Sequence, residues 1–274
     1  MKNSPGRFAV VGDPVAHSLS PLIHNAWMAA AGLDAHYERI HLQSSDAAAD
    51  LRAMARAYDG LNVTLPHKVA ALAAAAKSSP EAHSVGAANT LVAEDGGWMA
   101  HNTDIAGFDG AMQTACGQDI RDRHVLLIGA GGAARAAVVS LRRAGVTLTI
   151  ANRSEAKAAA LAAELAPAAR VAGLDAIERM SESVDLVVNS ASLGHAGELL
   201  PQLAPGRGRP FLDLSYGKAA APTLAAAAQA GWVAHDGLVM LVAQAAGAFR
   251  LWFGIDPDQS SALAACRTVV ANRT

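Results

Sequence analysis

A two-domain α/β protein is what the 274-residue chain predicts, and three observations carry that expectation. Short strand-like runs alternate with helix-like runs in two separate sets, the βαβ rhythm of a layered sheet. The strands of the later set are almost unbroken apolar runs, such as VLLI and LVVN, which suit a parallel sheet covered on both faces. A glycine-rich turn, GAGGAA at 129–134, joins one of these strands to the helix that follows it.

The first set opens with a strand at 8–11 (FAVV), a helix at 20–31, a strand at 37–41 and a helix at 45–58. A strand at 60–65 follows, in which Val63 and Leu65 alternate with Asn62 and Thr64. Pro66 has no N–H to give the sheet and so ends that strand, and a helix is predicted at 69–77. LVAEDGGWMA reads as a hairpin with its turn at 95–97. The stretch 107–123 links the two sets, with polar turns at 117–122, and the domain boundary is expected near 104–107. The second set contains strands at 125–128, 147–151, 186–189 and 211–214, with helices at 133–144 and 154–165. Alanine-rich runs such as AAALAAELAPAA and LAAAAQAG stop at Gly or Pro and read as helices, since alanine is the best helix former. Helices after Leu238 are expected to return to the first domain, giving 1–104 with 239–274 and 105–238 as the two domains.

Composition narrows the function. The chain is 52% hydrophobic, enough for a substantial core, and its net charge of −2 is spread without a basic stripe, which argues against nucleic acid or an anionic membrane as partner. A small-molecule ligand is expected. Cys116 and Cys266 have neither metal nor redox spacing and suit free thiols in a reducing cytoplasm. None of the ten histidines has metal-ligand spacing, so no metal is expected. The start MKNSPGRFAVVGDP lacks a signal-peptide core, and no apolar run reaches the roughly 20 residues of a membrane-spanning helix.

GAGGAA follows an apolar strand and opens a helix, which makes it a dinucleotide-binding candidate of the Rossmann type. Gly129 permits the tight turn, Gly131 lets the backbone approach a pyrophosphate, and Ala134 allows close helix–strand packing, while the helix N-terminus offers its N–H groups. An NAD site would place an acid at the end of the next strand, but this chain has Asn152, Arg153, Ser154 and then Lys157. Arg153 and Lys157 attract a 2′-phosphate, which favours NADP.

Other polar clusters fall near strand ends of the first domain. HSLSP carries Ser18 and Ser20 before a helix; one of them can be a helix cap, and two hydroxyls exceed what a cap needs. NVTLPHK leaves Lys68 just beyond a strand tip, and VGAANT and HNTD bring Asn89 and Asp104 to the base of the hairpin. Ligands of open α/β sheets bind beyond the carboxyl ends of the strands. Ser18, Ser20, Thr64, Lys68, Asn89 and Asp104 therefore form a candidate polar cup suited to a polyhydroxylated acid.

HSLSP, NVTLPHK, GAANT, HNTD, GAGGAAR, NRS and DGLVMLVAQAA together resemble the shikimate dehydrogenases over essentially the whole chain. That resemblance implies NADPH-dependent reduction of 3-dehydroshikimate to shikimate, in a substrate domain and a Rossmann domain. It implies Lys68 and Asp104 as the catalytic pair, Ser18 and Ser20 on the substrate carboxylate, and Thr64, Asn89, Tyr216 and Gln244 on its hydroxyls or ring. It implies a cofactor site of Gly129, Ala130, Gly131, Gly132, Ala133, Asn152, Arg153, Ser154, Lys157 and Gly237, in a monomer or homodimer. Two stretches depart from the family's usual wording. Asn189-Ser190-Ala191-Ser192-Leu193-Gly194-His195 replaces Asn-Ala-Thr-x-x-Gly-Met, and Val239 stands where glycine is common in Asp236-Gly237-Leu238-Val239-Met240. His195 also reads as a plain loop histidine. The departures leave open an enzyme of the same type acting on quinate or another cyclitol acid, and the scaffold leaves open a non-catalytic ligand sensor.

Overall fold

The computed structural model describes residues 5–117, 119–191 and 198–273. The chain divides into two compact units, one of Met1–Gly107 with Leu241–Cys266 and one of Phe108–Met240 with Arg267–Thr274. The last turns of the chain thus group with the second unit, whereas 241–266 groups with the first.

The first unit runs β1 (Gly6–Gly12), α1 (Ser20–Ala30), β2 (Ala35–His41), α2 (Ala47–Met54), β3 (Gly60–Val63), α3 (Lys68–Ala74), β4 (Lys77–Ser78), α4 (Pro80–Val85), β5 (Thr90–Glu94) and β6 (Gly97–His101). The strands form one six-stranded sheet in the order β2-β1-β3-β5-β6-β4. The β1–β2 and β1–β3 pairings are parallel, β3–β5 and β5–β6 are antiparallel, and the edge strand β4 runs parallel to β6. One core holds Ala9, Val11, Leu51, Leu61, Val63, Leu91 and Trp98. A separate aromatic cluster joins Phe8, Trp27 and Tyr37 to Phe249, Trp252 and Phe253 of the returning segment. Gly60 is required there, because a Cβ would lie 2.3 Å from the Trp252 indole nitrogen.

Three local outcomes differ from the sequence expectation. β3 stops at Val63 rather than Leu65, because Thr64 to His67 fold into a turn closed by the His67 N–H on the Thr64 carbonyl at 3.0 Å. α2 covers only Ala47–Met54, its start set by Asp46, whose side chain accepts from Ala49 N–H. β4 and α4 were not anticipated: β4 has two residues and no period to read, while Ser79 caps α4 and Pro80 occupies its first turn.

The helix α5 (Asp104–Cys116) occupies most of the stretch expected to be a link. The second unit continues with β7 (His124–Ile128), α6 (Gly132–Ala144), β8 (Thr147–Ala151), α7 (Glu155–Leu165), β9 (Arg170–Ala172), α8 (Ile177–Ser181), β10 (Leu186–Asn189), β11 (Pro210–Asp213), α9 (Ala221–Gln229) and β12 (Val233–His235). Its six strands order as β12-β11-β10-β7-β8-β9, and every pairing is parallel. This is the doubly wound Rossmann arrangement, whose strand order reverses between β7 and β10. Val125, Leu126, Leu127, Ile128, Val187 and Val188 are all fully buried, as strands sandwiched between helices must be. The sequence marked neither β9 nor β12, which are three-residue edge strands. The chain closes with α10 (Leu238–Phe253) and α11 (Gln259–Arg273). No helix of the described residues is long and apolar enough to cross a membrane.

Candidate active site

The turn after β3 delivers Lys68 as the first residue of α3, and the Lys68 carbonyl accepts the Ala88 N–H at 2.9 Å, tying the GAANT loop to the helix start. Asn89 is braced between strands: its carbonyl accepts from Val63 N–H at 2.8 Å, and its N–H donates to the His101 carbonyl at 3.1 Å. Just past β6, Asn102 takes the Asp104 N–H on its side-chain oxygen at 3.0 Å, starting α5 with Asp104 in its first turn.

These local constraints converge on one ion pair. Lys68 Nζ donates to Asp104 Oδ2 at 2.6 Å, with the two side chains only 13% and 3% exposed. Charges so far removed from water attract strongly and must hold further hydrogen bonds. Asn89 Nδ2 supplies one to Asp104 Oδ1 at 3.1 Å and another to Gln244 Oε1, from α10, at 2.8 Å. The sequence-predicted residues Lys68, Asn89, Asp104 and Gln244 are therefore one cluster within the first unit.

Ser18 and Ser20 form a second pair, with Ser18 Oγ donating to Ser20 Oγ at 3.2 Å. Leu19 holds the cap position of α1, and no side chain caps that helix. The Ser18 hydroxyl oxygen also accepts the Ser20 N–H at 3.2 Å, while Arg39 fixes the Ser18 carbonyl with donors at 2.6 and 3.0 Å. Thr64 is half-buried in the turn just after β3, where its methyl would be 2.3 Å from a Cβ added to Gly12. Tyr216 belongs to the second unit and precedes a short turn at Gly217–Ala219.

In the second unit the glycine turn lies at the strand-order reversal, between β7 and α6. Gly129 has φ +112°, and a Cβ there would meet Ser190 Oγ at 2.5 Å. Gly131 faces open space, and α6 begins without a side-chain cap, so Gly132, Ala133 and Ala134 start a helix whose first N–H groups are left to an anion. Ala130 completes the turn. These residues fit a dinucleotide pyrophosphate. At the end of β8, Asn152 Nδ2 donates to the Ser154 carbonyl at 2.9 Å, and Ser154 caps α7 by accepting from Lys157 N–H.

Arg153 differs from expectation: its Nη1 donates to both carboxylate oxygens of Glu198 at 3.0 Å. With 74% and 46% of these side chains exposed, the pair is worth at most about 1 kcal/mol and yields readily to a phosphate. Gly237 has a packing role, since a Cβ would stand 2.2 Å from the Leu214 carbonyl oxygen. Val239 lines a cavity of about 210 Å³ with Leu212, His235, Asp236 and Arg267. Asp213 at the end of β11 accepts from Asn189 Nδ2 at 2.9 Å and from Ser215 N–H at 2.8 Å, and burial pushes its carboxyl up to about 6. His195, with the rest of 192–197, lies outside the described residues.

Motif reading overlooked Tyr37, Asn62, Thr90 and Thr103, all buried: Thr90 and Thr103 bond to Asn89, Asn62 to Thr90, and Tyr37 to Asn62. A signal existed for Asn62: a buried amide in an otherwise apolar strand must find partners. Glu198 carried no such signal, because only the fold brings it 45 residues back to Arg153.

Comparison with known proteins follows the same division. Residues 10–91 match the shikimate dehydrogenase substrate binding domain, 111–196 the shikimate / quinate 5-dehydrogenase family, and 237–267 the shikimate 5′-dehydrogenase C-terminal domain. A shikimate dehydrogenase (NADP(+)) of Hyphomonas neptunium is 48% identical, covering 95% of this chain and 96% of its own. The crystal structure of shikimate 5-dehydrogenase from Thermus thermophilus with NADP(H) and shikimate is 36% identical, with TM-score 0.80 over 96% of this chain and 99% of that one. Quinate dehydrogenase from Corynebacterium glutamicum in complex with NAD is 29% identical, with TM-score 0.81 over 97% and 100%. With a buried lysine–aspartate pair in one unit, a glycine-turn Rossmann sheet in the other and this similarity along its length, the chain belongs to the shikimate dehydrogenase family.

Proposed function

We propose that the protein catalyses the reversible, NADP-dependent reduction of 3-dehydroshikimate to shikimate, a step of aromatic amino acid biosynthesis. The observation that carries this reading is the 2.6 Å Lys68–Asp104 pair, held by Asn89 beside Gln244. When bound, NADPH supplies the hydride. Lys68 donates a proton from Nζ to the carbonyl oxygen as that carbon is reduced, and takes a proton from the hydroxyl in the reverse direction. Asp104 holds the ammonium in position and keeps its charge balanced in a site poor in water. Thr64, Asn89, Tyr216 and Gln244 are assigned to the ring or its hydroxyls, and the Ser18 and Ser20 hydroxyls to the carboxylate. Gly129 to Ala133 would hold the pyrophosphate, with Gly237 at the same site. Asn152, Arg153, Ser154 and Lys157 would hold the 2′-phosphate, the Arg153 guanidinium exchanging Glu198 for it. The protein would act on this small molecule in the cytoplasm, as a monomer or homodimer, with neither nucleic acid nor membrane as partner.

The test is a spectrophotometric panel of shikimate and quinate against NADP and NAD. Shikimate with NADP is expected to give the highest kcat/KM. The second reading, a quinate or cyclitol-acid dehydrogenase, is favoured by Val239 in the wall of its cavity. It wins if quinate gives the higher value. Absence of turnover with every pair would point to a sensor, against which the presence of Lys68 argues.

A further inference from the structure

Asn89 and Asp104 end a longer chain of buried hydrogen bonds. Tyr37 Oη donates to Asn62 Oδ1 at 2.7 Å, Asn62 Nδ2 donates to Thr90 Oγ1 at 3.1 Å, and Thr90 Oγ1 donates to Asn89 Oδ1 at 3.2 Å. Asn89 Nδ2 then donates to Asp104 Oδ1 at 3.1 Å, and Asp104 Oδ2 receives Lys68. Every donor points the same way, toward the carboxylate. Tyr37, Asn62, Asn89, Thr90 and Asp104 are all at most 6% exposed, so none of these bonds competes with bulk water.

The start of the chain is rigid. The Asn25 side chain grips the Tyr37 backbone on both sides, accepting from its N–H at 2.9 Å and donating to its carbonyl at 2.8 Å. The His24 ring stacks on the Tyr37 ring at 4.4 Å and 12°. Burial raises the Tyr37 phenol well above its ordinary range, which keeps it a donor at working pH. Thr103 N–H on Asn89 Oδ1 at 2.7 Å settles which end of that amide faces Asp104.

We propose that Tyr37, Asn62 and Thr90 are positioning residues for the reaction, acting through Asn89 to fix the Asp104 carboxylate against Lys68. Hydrogen bonds aligned in series polarise one another, and their effect is greatest where the terminal acceptor is charged and dry. The proposal deepens the reading of Lys68 and Asp104 as the acid–base pair and rests on it. The three residues touch neither substrate nor cofactor in this account, so their loss should fall on kcat more than on KM.

Thr90→Val keeps the shape and removes the hydroxyl, Thr90→Ser does the reverse, and Tyr37→Phe removes the first donor together with the phenol's hydrogen bond with Ser20. In the full-length enzyme with shikimate and NADP, Thr90→Val and Tyr37→Phe are expected to lower kcat roughly 5- to 20-fold, with the NADP KM within about twofold of wild type. Thr90→Ser should keep most of the turnover. In an Asp104→Asn background, Thr90→Val should cost little more, because its route to the reaction is already cut. Wild-type turnover in both Thr90→Val and Tyr37→Phe overturns the proposal. So does a Thr90→Ser loss equal to that of Thr90→Val, which marks packing, or an undiminished Thr90→Val effect beside Asp104→Asn. Thermal melting is run on each variant, and Tyr37→Phe alone decides if Thr90→Val does not fold. Lys68→Met in the same assay separates the two levels: an active Lys68→Met removes the acid–base reading itself, whereas an inactive one beside wild-type-like Tyr37→Phe and Thr90→Val removes only the chain.

Discussion

Lys68 is nearly buried, and that changes what its removal should do. In Lys68→Met the Asp104 carboxylate, 3% exposed, keeps Asn89 but loses its counter-charge. Loss of turnover by roughly 10²- to 10⁴-fold is expected for a positioned acid–base group. A stability loss of order 3 kcal/mol, read from urea unfolding, should accompany it, since an uncompensated buried charge is costly. Asp104→Asn removes the charge with the side chain's shape retained and should cost less stability for a comparable loss of kcat. Equal stability of Lys68→Met and wild type would mean that water reaches Asp104 once the lysine is gone. The serine pair makes a separate prediction. With no side-chain cap on α1, Ser18→Ala with Ser20→Ala should leave helix stability nearly unchanged and raise the KM for shikimate far more than it lowers kcat. A fall in melting temperature with KM unchanged would assign these hydroxyls to the local fold.

At the scale of the element, the turn between β7 and α6 depends on one backbone conformation. Gly129 at φ +112° is in a region L side chains rarely adopt, and a Cβ would also press on Ser190 Oγ and the Ala191 amide. Gly129→Ala should cost on the order of 1–3 kcal/mol in strain and raise the KM for NADP, while the Lys68–Asp104 pair in the other unit is untouched. Isothermal titration with NADP checks this: unaltered affinity would show that the turn does not hold the pyrophosphate. The tip of β8 supplies the next test. Arg153→Ala with Lys157→Ala should lower the ratio of kcat/KM for NADP to that for NAD, and Glu198→Gln should raise it by up to about fivefold, the worth of one exposed pair. Both effects should shrink as salt screens the exposed charges. An unchanged ratio in the double variant would leave Arg153 and Lys157 as solvated surface.

Acid stability is a property of the whole molecule to which one core histidine should contribute. Neither His24 ring nitrogen has a hydrogen-bond partner among the described residues, and the ring lies among Trp27, Tyr37, Phe249 and Trp252. Burial pushes its imidazole down to about 3 from the ordinary 6.5, the larger of two influences, and the neighbouring Asn62 side chain opposes it. Between those values the unfolded chain binds a proton that the folded protein refuses, so folding stability falls as pH drops from 6.5 toward 3. From pH 6.5 to pH 4 this amounts to about 3 kcal/mol at 1.36 kcal/mol per unit. His24→Leu should therefore lose less stability than wild type over that interval in urea titrations. Parallel pH profiles would show that His24 takes up its proton inside the folded core.

Two kinds of information separate in this chain. The sequence by itself determined the α/β class, the alternation of β7, α6, β8 and α7, the glycine turn, and the polar residues at strand ends, because apolar periodicity, proline and glycine act over a few residues. Lys68, Asn89 and Asp104 were legible as candidates through the turn and hairpin that flank them. Tertiary structure alone decided what those residues touch. The two- and three-residue strands β4, β9 and β12 exist only through pairing with a neighbour, since so few residues carry no period of their own. Gln244 reaches Asn89 across 155 positions, and Glu198 returns to Arg153 from beyond the next two strands of the sheet. The Tyr37-to-Asp104 chain likewise joins residues from β2, β3, β5 and the start of α5. Such contacts arise where burial forces polar groups to find one another, a constraint set by the packed interior and not by local propensity.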